Sequence, residues 1–187
     1  MTTELYHVVT GQRMELGQVI QMDETYPTGV YERVMAKLPV VQEMMAHPEA
    51  YAGQEIDHYT DVAIRELAME AVRKERFPQY PSRMHSLYAS STLENARCWF
   101  QWFTDWGRPT LQIVKLRVEG RVFTGNANLC FDGTLDDEAN REKALRYWQV
   151  GEDPDGERPI WETIADGRIQ VVEIIHEAEA DTKENEE

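Results

Sequence analysis

His85-Ser86-Leu87-Tyr88-Ala89-Ser90-Ser91-Thr92-Leu93-Glu94 decides how this chain is read. Its first six residues are β-prone and predict a strand. Ser91 or Thr92 then offers a side-chain oxygen to first-turn amides, and Glu94 complements the helix dipole. A helix therefore follows through Asn95–Phe103, until Gly107-Arg108-Pro109 stops it.

Towards the C-terminus, Leu111–Val118 and Arg121–Phe123 are two β-prone runs joined at Glu119-Gly120. Asp132-Gly133 marks a turn. Asp136–Trp148 predicts a helix with Ala139, Ala144, Leu145 and Trp148 inward. After the loop Gly151–Gly156, Arg158–Ile164 leads into a final strand, Arg168–Ile175. Towards the N-terminus, Leu5-Tyr6-His7-Val8-Val9 predicts an opening strand. Residues 12–28 carry turn signals at Gly17, Pro27 and Gly29. Val30–Met45 has helical spacing, with Pro39 as a break or a start. Asp57–Arg76 is the clearest helix. Ala63, Ile64, Leu67, Ala68, Ala71 and Val72 form its inner face, with Arg65, Glu66, Glu70, Arg73 and Lys74 opposite. The strands cluster late and do not alternate with helices. That order predicts an α+β fold with antiparallel or mixed strands.

The chain has 187 residues, which suits one domain, and 42% hydrophobic residues, which suits a core. We expect that domain to span 1–176, with residues 12–80 as a helical segment within it. Glu177–Glu187 reads as a disordered acidic tail. Net charge is -15, and removing the tail still leaves -10. Such acidity disfavours general binding to nucleic acid. No run approaches a membrane span, and Met1-Thr2-Thr3-Glu4 has no basic or apolar leader. A cytoplasmic protein without membrane contact is the expectation. Cys98 and Cys130 cannot build a disulfide framework or a four-thiolate zinc site. The five histidines have no His-x-x-x-His pair, and one Glu-x-x-His (Glu55–His58) is too few ligands, so no metal is expected. Phosphate-binding glycine loops and a G-x-S-x-G elbow are absent too.

Three features remain. His7 lies within the opening strand. Tyr88 and Trp99 are placed to wall a slot for a flat ring, or to pack into the core. Glu162 sits among apolar neighbours in Pro159-Ile160-Trp161-Glu162-Thr163-Ile164. In this order they resemble the ADP-ribosyltransferase fold, in its His-Tyr-Glu branch. Tyr6-His7 matches the first motif of that branch. Tyr88-Ala89-Ser90, with Trp99 eleven residues on, resembles the second motif of the poly(ADP-ribose) polymerases. Glu162 ahead of a closing strand is similar to the DNA-targeting toxins of the fold. The chain is also similar to an uncharacterised bacterial and phage family of that fold. The likeness covers residues 4–10 and 83–176 and leaves 12–80 unexplained. Ala96 stands where the polymerases have a serine, so synthesis of long chains is not implied. Ile160 stands where the arginine-modifying branch has the first Glu of its Glu-x-Glu.

The resemblance implies a split β-sandwich with a helical insertion after the first strand, and NAD as substrate. Glu162 would hold the ribose 2'-hydroxyl and stabilise an oxocarbenium-like sugar. Tyr88 would stack on nicotinamide, with Trp99 as the other wall and Ser90 beside it. The Val8 backbone would bind the carboxamide, His7 a ribose hydroxyl, and Arg83 the diphosphate. The implied activity is mono-ADP-ribosyl transfer, a glycosyltransferase reaction, or NAD hydrolysis, with a protein, a small molecule or water as acceptor rather than a nucleic acid. The helical segment 12–80 and the loop 149–158 are expected to shape acceptor binding, and loops 125–135 and 151–158 are candidates to contact the acceptor. Two other readings stay open: a non-catalytic module that binds NAD or ADP-ribose, and an acidic interaction or inhibitor protein.

Overall fold

The computed structural model describes residues 2–178. It is α+β, and every strand pairing is antiparallel. The first sheet holds β1 (Thr2–Val9), β2 (Val19–Met22), β4 (Gln112–Glu119) and β7 (Gly167–Glu177), in the order β1-β4-β7-β2. The second holds β3 (Leu87–Ala89), β5 (Val122–Asn126) and β6 (Trp161–Ala165), in the order β3-β6-β5. The helices are α1 (Gly29–Ala46), α2 (His58–Arg76), α3 (Leu93–Asp105) and α4 (Asp137–Trp148).

Side-chain alternation sorts the layers. Leu5, Val9, Val114, Leu116 and Val171 from the first sheet meet Ala89 and Ala165 from the second in one apolar core. Val8 and Ile113, on the opposite face of the first sheet, pack under Ala96 of α3. The outer face of the second sheet, through Phe123 and Ile164, receives Met69 of α2 and Tyr147 and Trp148 of α4. α1 lies on α2 through Val34, Val41, Ala63 and Ile64.

The two sheets are joined in two places. At one end β4 passes into β5 and β6 into β7 side by side. A Cβ on Gly120 would lie 2.0 Å from the Asp166 carbonyl oxygen, and Gly167 has φ +90°, so both crossings require glycine. At the other end Tyr6 and Ser90 exchange backbone hydrogen bonds of 2.9 and 2.7 Å. Beyond that single bridge β1 and β3 separate.

Several expectations change. The runs at 111–118 and 121–123 lie in different sheets; β4 pairs with β1 and β7, and β5 with β6. The stretch 158–164 contributes a separate central strand, β6. β2 escaped the sequence pattern because it is a four-residue edge strand with only Met22 buried. α1 runs through Pro39 without the expected break; Pro39 and Met35 are both solvent-exposed, so water is available to the Met35 carbonyl that loses its donor. β7 extends to Glu177, whose carboxylate accepts from Gln112 at 2.9 Å, so the ordered part passes the expected boundary at 176. Residues 179–187 of the expected tail lie outside the described residues. Among the described residues, no helix is long and apolar enough to cross a membrane.

Candidate functional site

The opening between β1 and β3 is a cavity of about 330 Å³, at the lower end of the ~300–1,000 Å³ range of small-molecule sites. All seven residues singled out in the sequence line it. His7 and Val8 come from β1, Tyr88 and Ser90 from β3 and its end, Trp99 from α3, Arg83 from the 3-10 turn before β3, and Glu162 from β6.

The separation of the strands sets up the first wall. Tyr6 directs its backbone groups to Ser90, while Val9 directs its carbonyl to Leu111 on the β4 side. By alternation, the Val8 N–H and C=O point away from β4, along the edge that Tyr6 uses. A continuing ladder would offer Val8 the Tyr88 carbonyl. That carbonyl is instead 2.7 Å from His7 Nδ1. Because a carbonyl only accepts, His7 Nδ1 carries the proton. Burial lowers the His7 pKa against a smaller upward pull from this bond, so the ring is neutral near pH 7 and Nε2 is an acceptor. Trp99 is fixed by its indole N–H, 3.0 Å from the Trp161 carbonyl. Ala96 is fully buried on the sheet-facing side of α3 and is absent from the lining.

Glu162 is 9% exposed. Oε1 accepts from Arg83, from the Tyr147 hydroxyl at 2.8 Å and from the Cys130 thiol at 3.8 Å. Among the described residues Oε2 has no hydrogen-bond partner, nor is it a fully buried unpaired atom. Tyr147 reaches Glu162 because Gly125 lies opposite it in the ladder; a Cβ there would stand 2.9 Å from the Tyr147 ring. Burial pushes the Cys130 thiol up to about 12, so it is no thiolate nucleophile. Burial likewise raises the Tyr88 and Tyr147 phenols, which stay protonated.

Arg83 does not have the freedom that a diphosphate contact requires. Its Nε and Nη2 donate to Glu66, at 2.9 and 3.3 Å, and its Nη1 donates to Glu162 and Tyr147. Its guanidinium also lies over the Tyr147 ring at 4.8 Å and the Tyr88 ring at 5.4 Å. Flanking carboxylates hold the buried guanidinium charged although burial opposes that charge. Two other arginines line the cavity and are exposed, Arg33 of α1 and Arg108 beyond α3. Neither forms an ion pair among the described residues. The Arg108 guanidinium lies over the Phe103 ring, 4.4 Å from its centroid.

The second wall belongs to the helical segment 12–80, which was expected only to shape acceptor binding. It comes from α1 and α2, through Val30, Val34, Tyr59, Val62 and Glu66, while residues 125–135 and 151–158 are absent from the lining. Helices α1 and α2 thus give the unexplained segment a place. The sequence pattern put Glu66, Glu70 and Arg73 on a solvent face; all three are buried. Glu70 instead pairs with Arg73 at 2.7 Å and accepts from Ser82 at 2.9 Å. Amphipathic counting fails here because α2 is covered on more than one side, by α1 and α4. The available signal was the i, i+4, i+7 repeat of Glu66, Glu70 and Arg73, in which Glu70 and Arg73 are opposite charges one turn apart that pair with each other.

A family model matches residues 5–177, from within β1 to the last residue of β7. The chain belongs to the DUF2441 family, described as proteins of unknown function. The span of the DUF2441 match takes in both walls of the cavity. No curated protein matches the chain.

Proposed function

We propose that this DUF2441 protein binds NAD in the β1–β3 cavity, cleaves its nicotinamide–ribose bond, and transfers ADP-ribose to an acceptor. The observation that carries the reading is the unpartnered Oε2 of Glu162. Glu162 lines the cavity together with the Val8 backbone edge, the neutral His7 and Tyr88. This arrangement supports an ADP-ribosyltransferase-like fold as well as the activity.

In this reading the Val8 N–H and C=O take the carboxamide, which needs one acceptor and one donor side by side. Tyr88 and Trp99 border the ring. His7 Nε2 accepts from a ribose hydroxyl, and Glu162 Oε2 accepts from the 2'-hydroxyl. The C1'–N1 bond breaks with its electron pair leaving on N1, so nicotinamide departs neutral. The positive charge passes to the sugar, where Glu162 opposes it. A lone pair from the acceptor closes the new bond at C1', and the acceptor's proton passes to Glu162 or solvent. Arg33 and Arg108 replace Arg83 as the residues for the diphosphate. The cavity lining holds four arginines against two glutamates in a chain of net charge -15. That local reversal suits a phosphate-bearing ligand.

One observation favours a second reading, a binding module without turnover: Arg83 partly neutralises Glu162. An acidic interaction protein would have no use for the cavity. Chromatographic detection of nicotinamide, together with calorimetric NAD titration, separates the cases. We expect release by the wild type, and a loss of at least about a hundredfold in Glu162→Gln with NAD binding retained. Binding without release by the wild type identifies the module; absence of binding overturns both.

A further inference from the structure

We propose that Glu66 is a positioning residue whose charge, set between Arg65 and Arg83, keeps the floor of the cavity receptive to a cationic ring. The inference rests on the NAD reading for its biological meaning, but its test does not need turnover.

The floor carries four charged side chains in an alternating line. Arg65 Nε donates to Glu66 Oε1 at 3.2 Å, Glu66 is paired in bidentate fashion by Arg83, and Arg83 donates to Glu162. Glu66 is 2% exposed, and its carboxylate touches both guanidinium groups. The polar groups nearest Glu162 are Arg83, the Tyr147 hydroxyl and the Cys130 thiol, and both of the latter stay neutral. The ionic balance at the floor is therefore set by two carboxylates and two guanidiniums. Remove the charge of Glu66, and one guanidinium is left unmatched beside Glu162 in a poorly solvated place. A pyridinium ring bound there would meet net positive charge, whereas with Glu66 in place it meets a balanced floor ending on a carboxylate. The mouth differs, since Arg33 and Arg108 have no carboxylate partners among the described residues. Along one cavity, then, an anion-tolerant mouth leads to a cation-tolerant floor. A dinucleotide with a pyridinium at one end and phosphates in the middle has that same polarity.

The test compares two small probes of nearly equal shape, the cation 1-methylnicotinamide and neutral nicotinamide, by calorimetric or NMR titration. The readout is the ratio of their affinities. The wild type should favour the cation. Glu66→Gln, which keeps a carbonyl acceptor for Arg83, should lower that ratio roughly tenfold, the scale of one charge felt across several ångströms of protein. Glu66→Asp should restore most of it. Arg65 is 17% exposed in its side chain and is the less structural end of the line, so Arg65→Gln should raise the ratio even where Glu66→Gln fails to fold. If neither variant moves the ratio, or both move it the same way, Glu66 only holds Arg83 and the proposal is overturned. A wild type that shows the expected ratios but releases no nicotinamide keeps this proposal and loses the transferase reading. Normal release with unchanged ratios does the reverse.

Discussion

His7 joins protonation to stability at a single side chain. Its folded pKa lies below the ordinary 6.5 because burial disfavours the imidazolium. The unfolded chain therefore binds the proton more readily, and stability falls as pH drops below 6.5 towards the folded value. His7→Asn keeps a donor for the Tyr88 carbonyl but does not titrate. Thermal unfolding followed from pH 6.5 down to about 5 should show a steeper loss for the wild type than for this variant; parallel curves would mean that His7 is not the titrating group. Gly125 is the second residue whose neighbours decide its identity. Adding a methyl group beside the Tyr147 and Phe123 rings should cost about 1–3 kcal/mol by overpacking. It should also pull the Tyr147 hydroxyl from Glu162. Urea unfolding of Gly125→Ala measures the first effect and nicotinamide release the second.

Between elements, the tie that matters most to the site is Thr28. As the N-cap of α1 it accepts from Tyr31 N–H at 3.1 Å, and its hydroxyl donates to the Met84 carbonyl at 2.5 Å. One side chain thus both starts α1 and anchors the turn that carries Arg83. Thr28→Ala should destabilise the protein by about 1–2 kcal/mol, and Thr28→Ser should recover most of that in chemical denaturation. α2 shows why its role was hard to read. A helix packed on one side keeps its charges on the other, but α2 has neighbours on several sides, so its Glu66, Glu70 and Arg73 are buried and paired. Helical spacing revealed that α2 forms. It was silent on which partners cover it, because Arg83 and Ser82 arrive from later in the chain.

For the molecule as a whole, these buried pairs govern acid stability. Burial alone would raise the carboxyls of Glu66 and Glu70. Arg83 and Arg73 more than reverse that and hold both below their ordinary 4.5. Their stabilisation is present above pH 4.5 and is lost as pH falls through the depressed folded values. Urea titrations in that range should show a steeper acid loss for the wild type than for Glu66→Gln/Glu70→Gln, although the variant starts from lower stability. This loss sets in below pH 4.5, whereas the His7 loss already sets in below 6.5. The sequence by itself determined the α+β class, the main strands and helices, and the residue types around His7, Tyr88 and Glu162, because periodicity, caps and turn residues act over a few positions. Only the tertiary structure decided that β4 and β5 serve different sheets, that α1 and α2 wall the cavity, and that Arg83 is held between Glu66 and Glu162. Those outcomes depend on pairing across long sequence separations, where burial and charge compensation, not local propensity, select the partner.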